Sequence, residues 1–280
     1  MSQLSKAEPD ATRQRLCRLL ELPVSTSYYT PIEHEEDKKM MDALLKINQE
    51  TFGTYGARRM AKALQKEAFN IGRFKTSRLM KTLGIVAKRP QKSHGYPKGK
   101  TLPDIPNRLN REFEQPQVNT HWAGDITYIR HHQGWSYLAT VMDMGNKEIV
   151  GYALSQTPDA ELAKQALIHA VATHKPLTHK LLFHSDQGVQ YTAQIFKETL
   201  ALHGITQSMS RRGNCWDNAV QERFFRNLKT EYLNDLIFTT HQAVVTAVTR
   251  YIHFYNNKRL NSAIDYLTPA LKRQELLNVV

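Results

Sequence analysis

From residue 121 onward the hydrophobic pattern changes period, and that change confines the chain to a mixed α/β fold. The runs DITYIR, WSYLATVMDM and KEIVGYAL are short and rich in β-branched and aromatic residues. Gln133-Gly134 and Gly145-Asn146 part them, as in two tight hairpins. Thr157-Pro158 then opens a helix over DAELAKQALIHAVATH, with proline in its first turn. KLLFHSD reads as a buried strand, TAQIFKETLALHG as a helix stopped by Gly204, and ITQSMS as a further strand. Asp217-Asn218 start a helix through about Leu233, and a last helix runs from about Thr240 to Tyr255. Three antiparallel strands followed by alternating helix and strand imply a mixed sheet with helices on its faces.

Upstream the reading is helical. Residues 1–85 carry Met40, Met41, Leu44 and Ile47 at helical spacing, then a break at Gly53 and Tyr55-Gly56. ARRMAKALQKE and RFKTSRLMKTLG follow, with Arg73, Lys75, Arg78 and Lys81 outward and Gly84 as a stop. Helix, turn and short basic helix outline a helix-turn-helix DNA reader. An ordinary helical pair with a solvated basic face fits these residues equally well. Residues 86–118 are rich in Pro, Lys, Asn and Gly and read as a basic linker, in which Lys88 and Arg89 could follow a phosphate backbone. Residues 119–280 then form the α/β region with its C-terminal helix.

Lys plus Arg number 38 against 26 Asp plus Glu, a net charge of +12 with pI near 9.6. Such a surplus suits a polyanionic partner, because each neutralised phosphate releases counterions, although charge alone also fits a soluble basic protein. Two cysteines, Cys17 and Cys215, leave no disulfide framework and no zinc-ligand spacing. No apolar stretch is long enough to span a bilayer, and the first residues lack a signal-peptide core, so a reducing cytosol is the expected location.

Within this basic chain, Asp125, Asp186 and Glu222 occupy contexts that core packing does not explain. Asp125 lies in a run that should be a central strand, where an unpaired carboxylate is costly to bury. Asp186 follows the apolar run Leu181-Leu182-Phe183, at the strand end where open α/β sheets present ligand groups. Glu222 shares a helix face with Arg226 and Lys229, at i+4 and i+7. Three carboxylates on separate elements can hold a pair of divalent cations, which suits in-line phosphodiester chemistry. Taken singly, a buried hydrogen-bonded carboxylate, a turn residue and a surface salt-bridge pattern are comparable readings.

The segments TYGARRM, VNTHWAGDITYI, HSDQGVQY, SMSRRGNCWDNAVQERFFRNLKTE and YIHFYNNKRLNSAIDYLTP sharpen the choice. Together they resemble an OrfB-type transposase of the IS-three insertion-sequence family, within the retroviral-integrase-like DDE recombinases. The resemblance implies an RNase H-like (integrase catalytic core) α/β domain preceded by a helix-turn-helix-like region. It implies catalytic and metal-holding roles for Asp125, Asp186 and Glu222, and a DNA contact for Lys229, with Arg226 beside it. Arg223 and Asn261 depart from the usual pattern without removing a ligand. The implied reaction cleaves strands at element ends and joins the 3′-hydroxyl to target DNA. Its cofactor is Mg²⁺ as two ions, with Mn²⁺ a substitute. Its partners are double-stranded DNA (terminal inverted repeats and target), further copies of the chain in a homo-oligomer on DNA, and an upstream-frame helix-turn-helix/leucine-zipper product as partner or fusion; no membrane is involved. The alternatives are an RNase H-like nuclease that cuts without joining and a non-catalytic DNA-binding protein.

Overall fold

The computed structural model describes residues 13–27, 35–88, 105–110, 112, 114–210 and 218–278 of the chain. Its helices and strands are, in order, α1 (Arg13–Leu19), α2 (Val24–Ser27), α3 (Glu35–Glu50), α4 (Ala57–Lys66), α5 (Arg73–Thr82), β1 (His121–His131), β2 (Gly134–Asp143), β3 (Ile149–Ser155) and α6 (Ala160–His174). There follow β4 (Leu182–Ser185), α7 (Val189–Thr192), α8 (Gln194–Leu202), β5 (Thr206–Met209), α9 (Ala219–Glu231), α10 (His241–Asn257) and α11 (Pro269–Asn278). The chain divides into two units, Met1–Ala43 and Leu44–Val280. The first holds α1, α2 and the start of α3.

In the second unit the five strands form one sheet in the order β3-β2-β1-β4-β5. The first three pair antiparallel, while β4 joins β1 in parallel and β5 joins β4 in parallel. This is the mixed sheet that the sequence implied. One face buries Trp122, Ala139, Val141, Val150 and Phe183 against Leu162, Ala166 and Ala170 of α6 and Phe196 and Leu200 of α8. The other buries Ile129, Leu138, Met142 and Ile149 against Phe224 and Leu228 of α9 and Val248, Tyr251 and Tyr255 of α10. Helix α6 sits very close to the sheet: a Cβ on Gly151 would lie 2.4 Å from the Ala166 carbonyl oxygen and 2.6 Å from the Ala170 Cβ.

Several boundaries differ from expectation, each for a local reason. Pro158 does not enter the first turn of α6, because Asp159 caps the helix, its Oδ1 accepting from the Leu162 N–H at 3.0 Å. The β2–β3 connection is wider than a tight hairpin. Asp143 closes β2, and its carboxylate accepts from the N–H groups of Asn119 (2.5 Å) and Gly145 (2.8 Å) and from Trp122 Nε1 (3.4 Å). Burial pushes the Asp143 carboxyl up to about 6, against the pull of those donors. The chain also continues past Tyr255 into α11, which Thr268 caps through Oγ1 to the Leu271 N–H at 3.2 Å.

Before the sheet, α4 buries Met60, Ala61 and Leu64, and α5 buries Thr76, Leu79 and Met80. This helical pair is joined to the segments that follow the sheet by buried charge. Glu231, at the end of α9, accepts from Arg259 Nε (2.7 Å) and Nη2 (2.6 Å), from the Tyr251 hydroxyl (2.8 Å) and from Arg59 Nη1 (3.4 Å). The Tyr55 hydroxyl accepts from the Leu260 N–H at 2.7 Å. Arg259 is 1% exposed, its guanidinium held in the interior by the Glu231 carboxylate.

Gly124, beside Asp125 on β1, has no room for a side chain, since a Cβ there would lie 2.3 Å from Cζ of the buried Phe183. Gly124→Ala is therefore expected to destabilise the fold by about 1–3 kcal/mol through overpacking, measured by denaturant titration. A loss below a few tenths of a kcal/mol would mean that Phe183 moves aside at no cost.

Candidate active site

Three elements deliver the three acids. Asp125 sits in the middle of β1, paired across the sheet with Thr140 of β2. Beyond Ala123 the described pairing of β1 with β4 ends, so β4 no longer covers β1 where Asp125 projects. Asp186 is the first residue past β4, and its Oδ1 accepts from the Gly188 N–H at 3.0 Å in the turn that leads to α7. Glu222 lies in the first turn of α9, the helix packed on the Asp125 face.

Their electrostatics show that they share one region. Burial and then Asp186 raise the Asp125 carboxyl well above the ordinary range, with Glu222 adding to the rise; the Ile126 N–H at 2.8 Å and Lys229 oppose it. Burial also raises Asp186, against the Gly188 N–H. Burial raises Glu222, with Arg226 pulling down and Asp186 pushing up. Asp186 and Glu222 are exposed, so water damps their share and Asp125 holds the strongest perturbation. Burial and carboxylate repulsion thus link Asp125 electrostatically to Asp186 and Glu222.

A divalent cation fits this place by donor chemistry. The side chains are hard oxygen donors whose mutual repulsion a cation would relieve. Asn218, 4% exposed at the head of α9, keeps a buried Oδ1 with no hydrogen-bond partner among the described residues. The fit stops at donor type and charge. Among the described residues, no set of three or more His, Cys, Asp or Glu side chains stands close enough to form a finished cage.

Lys229, one helical face along from Glu222, places its Nζ over the Tyr128 ring, 4.8 Å from the centroid. Burial lowers its ammonium, while Asp125 raises it. The Lys229 ammonium is thus within electrostatic reach of Asp125. Arg226 is exposed on the same helix. On α5, Arg73, Arg78 and Lys81 are exposed and Lys75 is half-buried; the Arg73 guanidinium lies 5.9 Å from the ring of Phe74, which is 87% exposed. Lys88 is placed otherwise. Its ammonium is paired with the Asp235 carboxylate, both side chains partly exposed, and donates to the Glu231 carbonyl at 3.2 Å. Arg89 and Trp216 lie outside the described residues. Trp122 is core, as its burial and its bond to Asp143 show.

One residue near the acids was not singled out from sequence. Tyr191 is buried under the site, its phenol pushed well up by burial and then by Asp125 and Asp186. Its place in HSDQGVQY was the available signal.

Comparison with known proteins decides the family. Residues 115–215 match an integrase core domain, residues 203–269 match a second integrase core domain model, and residues 34–93 match an HTH-like domain. The putative transposase InsK for insertion sequence element IS150 of Escherichia coli (strain K12) is 36% identical over 265 residues, covering 93% of each chain. This chain belongs to the insertion-sequence transposases. The transposase for insertion sequence element IS904 of Lactococcus lactis is 34% identical over 85% of this chain and 95% of its own. The HTLV-2 integrase catalytic core domain in complex with magnesium is 19% identical, at a TM-score of 0.44 over 56% of this chain and 97% of its own, too distant a likeness to carry an argument. As a member of this family, the transposase is a polynucleotidyl transferase of the DDE transposase/integrase type, with an integrase catalytic core and an N-terminal HTH-like domain.

Proposed function

We propose that this transposase cleaves DNA strands at insertion-sequence ends and joins the freed 3′-hydroxyl to target DNA, using Asp125, Asp186 and Glu222 as its catalytic, metal-holding residues. The observation that carries the reading is the delivery of the three acids by β1, the end of β4 and α9, with Asp186 and Glu222 repelling the Asp125 carboxylate and Lys229 within electrostatic reach of it. Two Mg²⁺ ions, with Mn²⁺ as a substitute, would supply activation of the attacking oxygen and stabilisation of the leaving 3′-oxygen. The carboxylates hold and orient; Asp125, the most buried in effect, must be ionised to do so. Lys229 neutralises a phosphate at the mouth of the site. Arg226 extends that cationic face, and Arg73, Lys75, Arg78 and Lys81 present a basic helix to the DNA backbone, as suits an HTH-like domain.

We further propose the division into a helical DNA-binding region (1–85), a basic linker (86–118) and a catalytic domain (119–280). The substrates are terminal inverted repeats and target DNA, and assembly on DNA involves further copies of the chain. An upstream-frame product remains a candidate partner or fusion. The expected site of action is the bacterial cytoplasm, at the nucleoid.

The deciding experiment supplies pre-cut element ends and a supercoiled plasmid in Mg²⁺. Joined products are expected; cutting without any joined product would favour a nuclease instead. Lys229→Ala is expected to weaken end-DNA binding and to lower the slope of log affinity against log salt by about 1, while divalent-cation binding survives. Equal affinities across a salt series would remove Lys229 from the DNA contact.

A further inference from the structure

Immediately before Glu222 stands a glutamine with no exposed surface, at a position facing the strands. A side-chain amide buried at that depth is costly unless its polar atoms are bonded. Here each end of the amide is used. Gln221 Nε2 donates to the Ala123 carbonyl of β1 at 2.5 Å and to the Thr140 carbonyl of β2 at 3.4 Å. Its Oε1 accepts from the Thr140 hydroxyl at 3.0 Å. Thr140 is the cross-strand partner of Asp125, and Ala123 lies two residues before it. One turn earlier on the same helix, Asn218 Nδ2 donates to the Gly124 carbonyl at 3.3 Å. Two amides thus fasten the start of α9 to the β1 backbone just before Asp125 and to its cross-strand partner Thr140.

We propose that Gln221, assisted by Asn218, is a positioning residue that sets where Glu222 stands relative to Asp125. The inference rests on the reading of Glu222 and Asp125 as one metal-holding site. A helix packed only by apolar side chains can rotate or slide by fractions of a residue at small cost, and one residue of helix amounts to about 1.5 Å and about 100°. Apolar contacts are non-directional, whereas three hydrogen bonds from one amide to two strands specify both rotation and height. Catalytic groups need placement to within about 0.5 Å, and an error of about 1 Å costs about 100-fold in rate. Phe224 and Leu228 hold α9 to the sheet; Gln221 gives it a register.

The test separates position from stability. Gln221→Leu keeps the volume and removes every bond; Thr140→Val removes only the hydroxyl that orients the amide. For each, the metal-free melting temperature, Mn²⁺ affinity by titration calorimetry, end-DNA affinity and the single-turnover joining rate are measured. Gln221→Leu is expected to bind end DNA normally while joining falls about 100-fold and Mn²⁺ affinity falls about 10- to 100-fold. Thr140→Val should show smaller losses in the same two quantities. Normal joining and Mn²⁺ affinity in a folded Gln221→Leu protein would overturn the proposal. If that variant does not fold, unchanged joining and Mn²⁺ affinity in Thr140→Val overturn it instead. Glu222→Gln is run in parallel: full joining by that variant would fail the metal-site reading itself, whereas its inactivity beside a fully active Gln221→Leu would fail the clamp alone.

Discussion

Asp125→Asn is expected to abolish strand joining while making the metal-free transposase harder to melt at neutral pH. The first effect follows from losing a group that supports several kcal/mol of transition-state charge stabilisation, a fall of about three orders of magnitude or more. The second follows from the direction of the Asp125 shift. Its folded pKa lies well above the ordinary carboxylate value, chiefly through burial and then through Asp186. Between those two values the folded chain keeps a proton that the unfolded chain has released, so stability declines as pH rises through that window and is fullest below the ordinary value. Asparagine removes this decline. Melting curves of parent and variant should therefore converge at acid pH and separate above it, with the variant higher. Added Mg²⁺ should raise the parent more than the variant. A variant that melts below the parent at every pH would contradict this account of the Asp125 environment.

The other large effect concerns stability alone. Glu231→Ala leaves Arg259 buried without its carboxylate, and breaking a buried pair by removing one partner costs about 3–5 kcal/mol. Burial alone would raise the Glu231 carboxyl, yet Arg259, Arg59 and Tyr251 together hold it below the ordinary range. A depressed carboxylate contributes stability above its unfolded pKa and loses it as pH falls through the folded value. Denaturant unfolding should show the full loss at neutral pH and a shrinking difference from the parent in acid. Hydrogen exchange should report faster opening of α4, since Arg59 ties that helix to the same carboxylate. A variant as stable as the parent would show that Arg259 finds another counter-charge.

Much of this was legible from the chain. The three hairpin strands and the order of alternating helix and strand follow from period alone, because each element buries one continuous stripe. Asp125, Asp186 and Glu222 stood out because acids at strand interiors and strand ends need a reason. Helix α11 carries the same Thr-Pro start as the segment before α6, so its beginning is legible in the sequence. The Glu231–Arg259 pair was not legible. Periodicity describes one element at a time, and Arg59, Glu231 and Arg259 meet only when distant elements pack. The pairing of Lys88 with Asp235 was not legible for the same reason: the two meet only when distant segments pack. Gln221 carried no signal because a polar residue in an amphipathic helix ordinarily faces water.

The near-contact of α6 with β3 at Gly151 bears on protein engineering. Ala166 and Ala170 leave less space there than a single methyl group occupies, so residue 151 should accept no other amino acid in a saturation library. Substitutions meant to improve yield belong on the outward side of that helix, at the exposed Gln165 or Ile168.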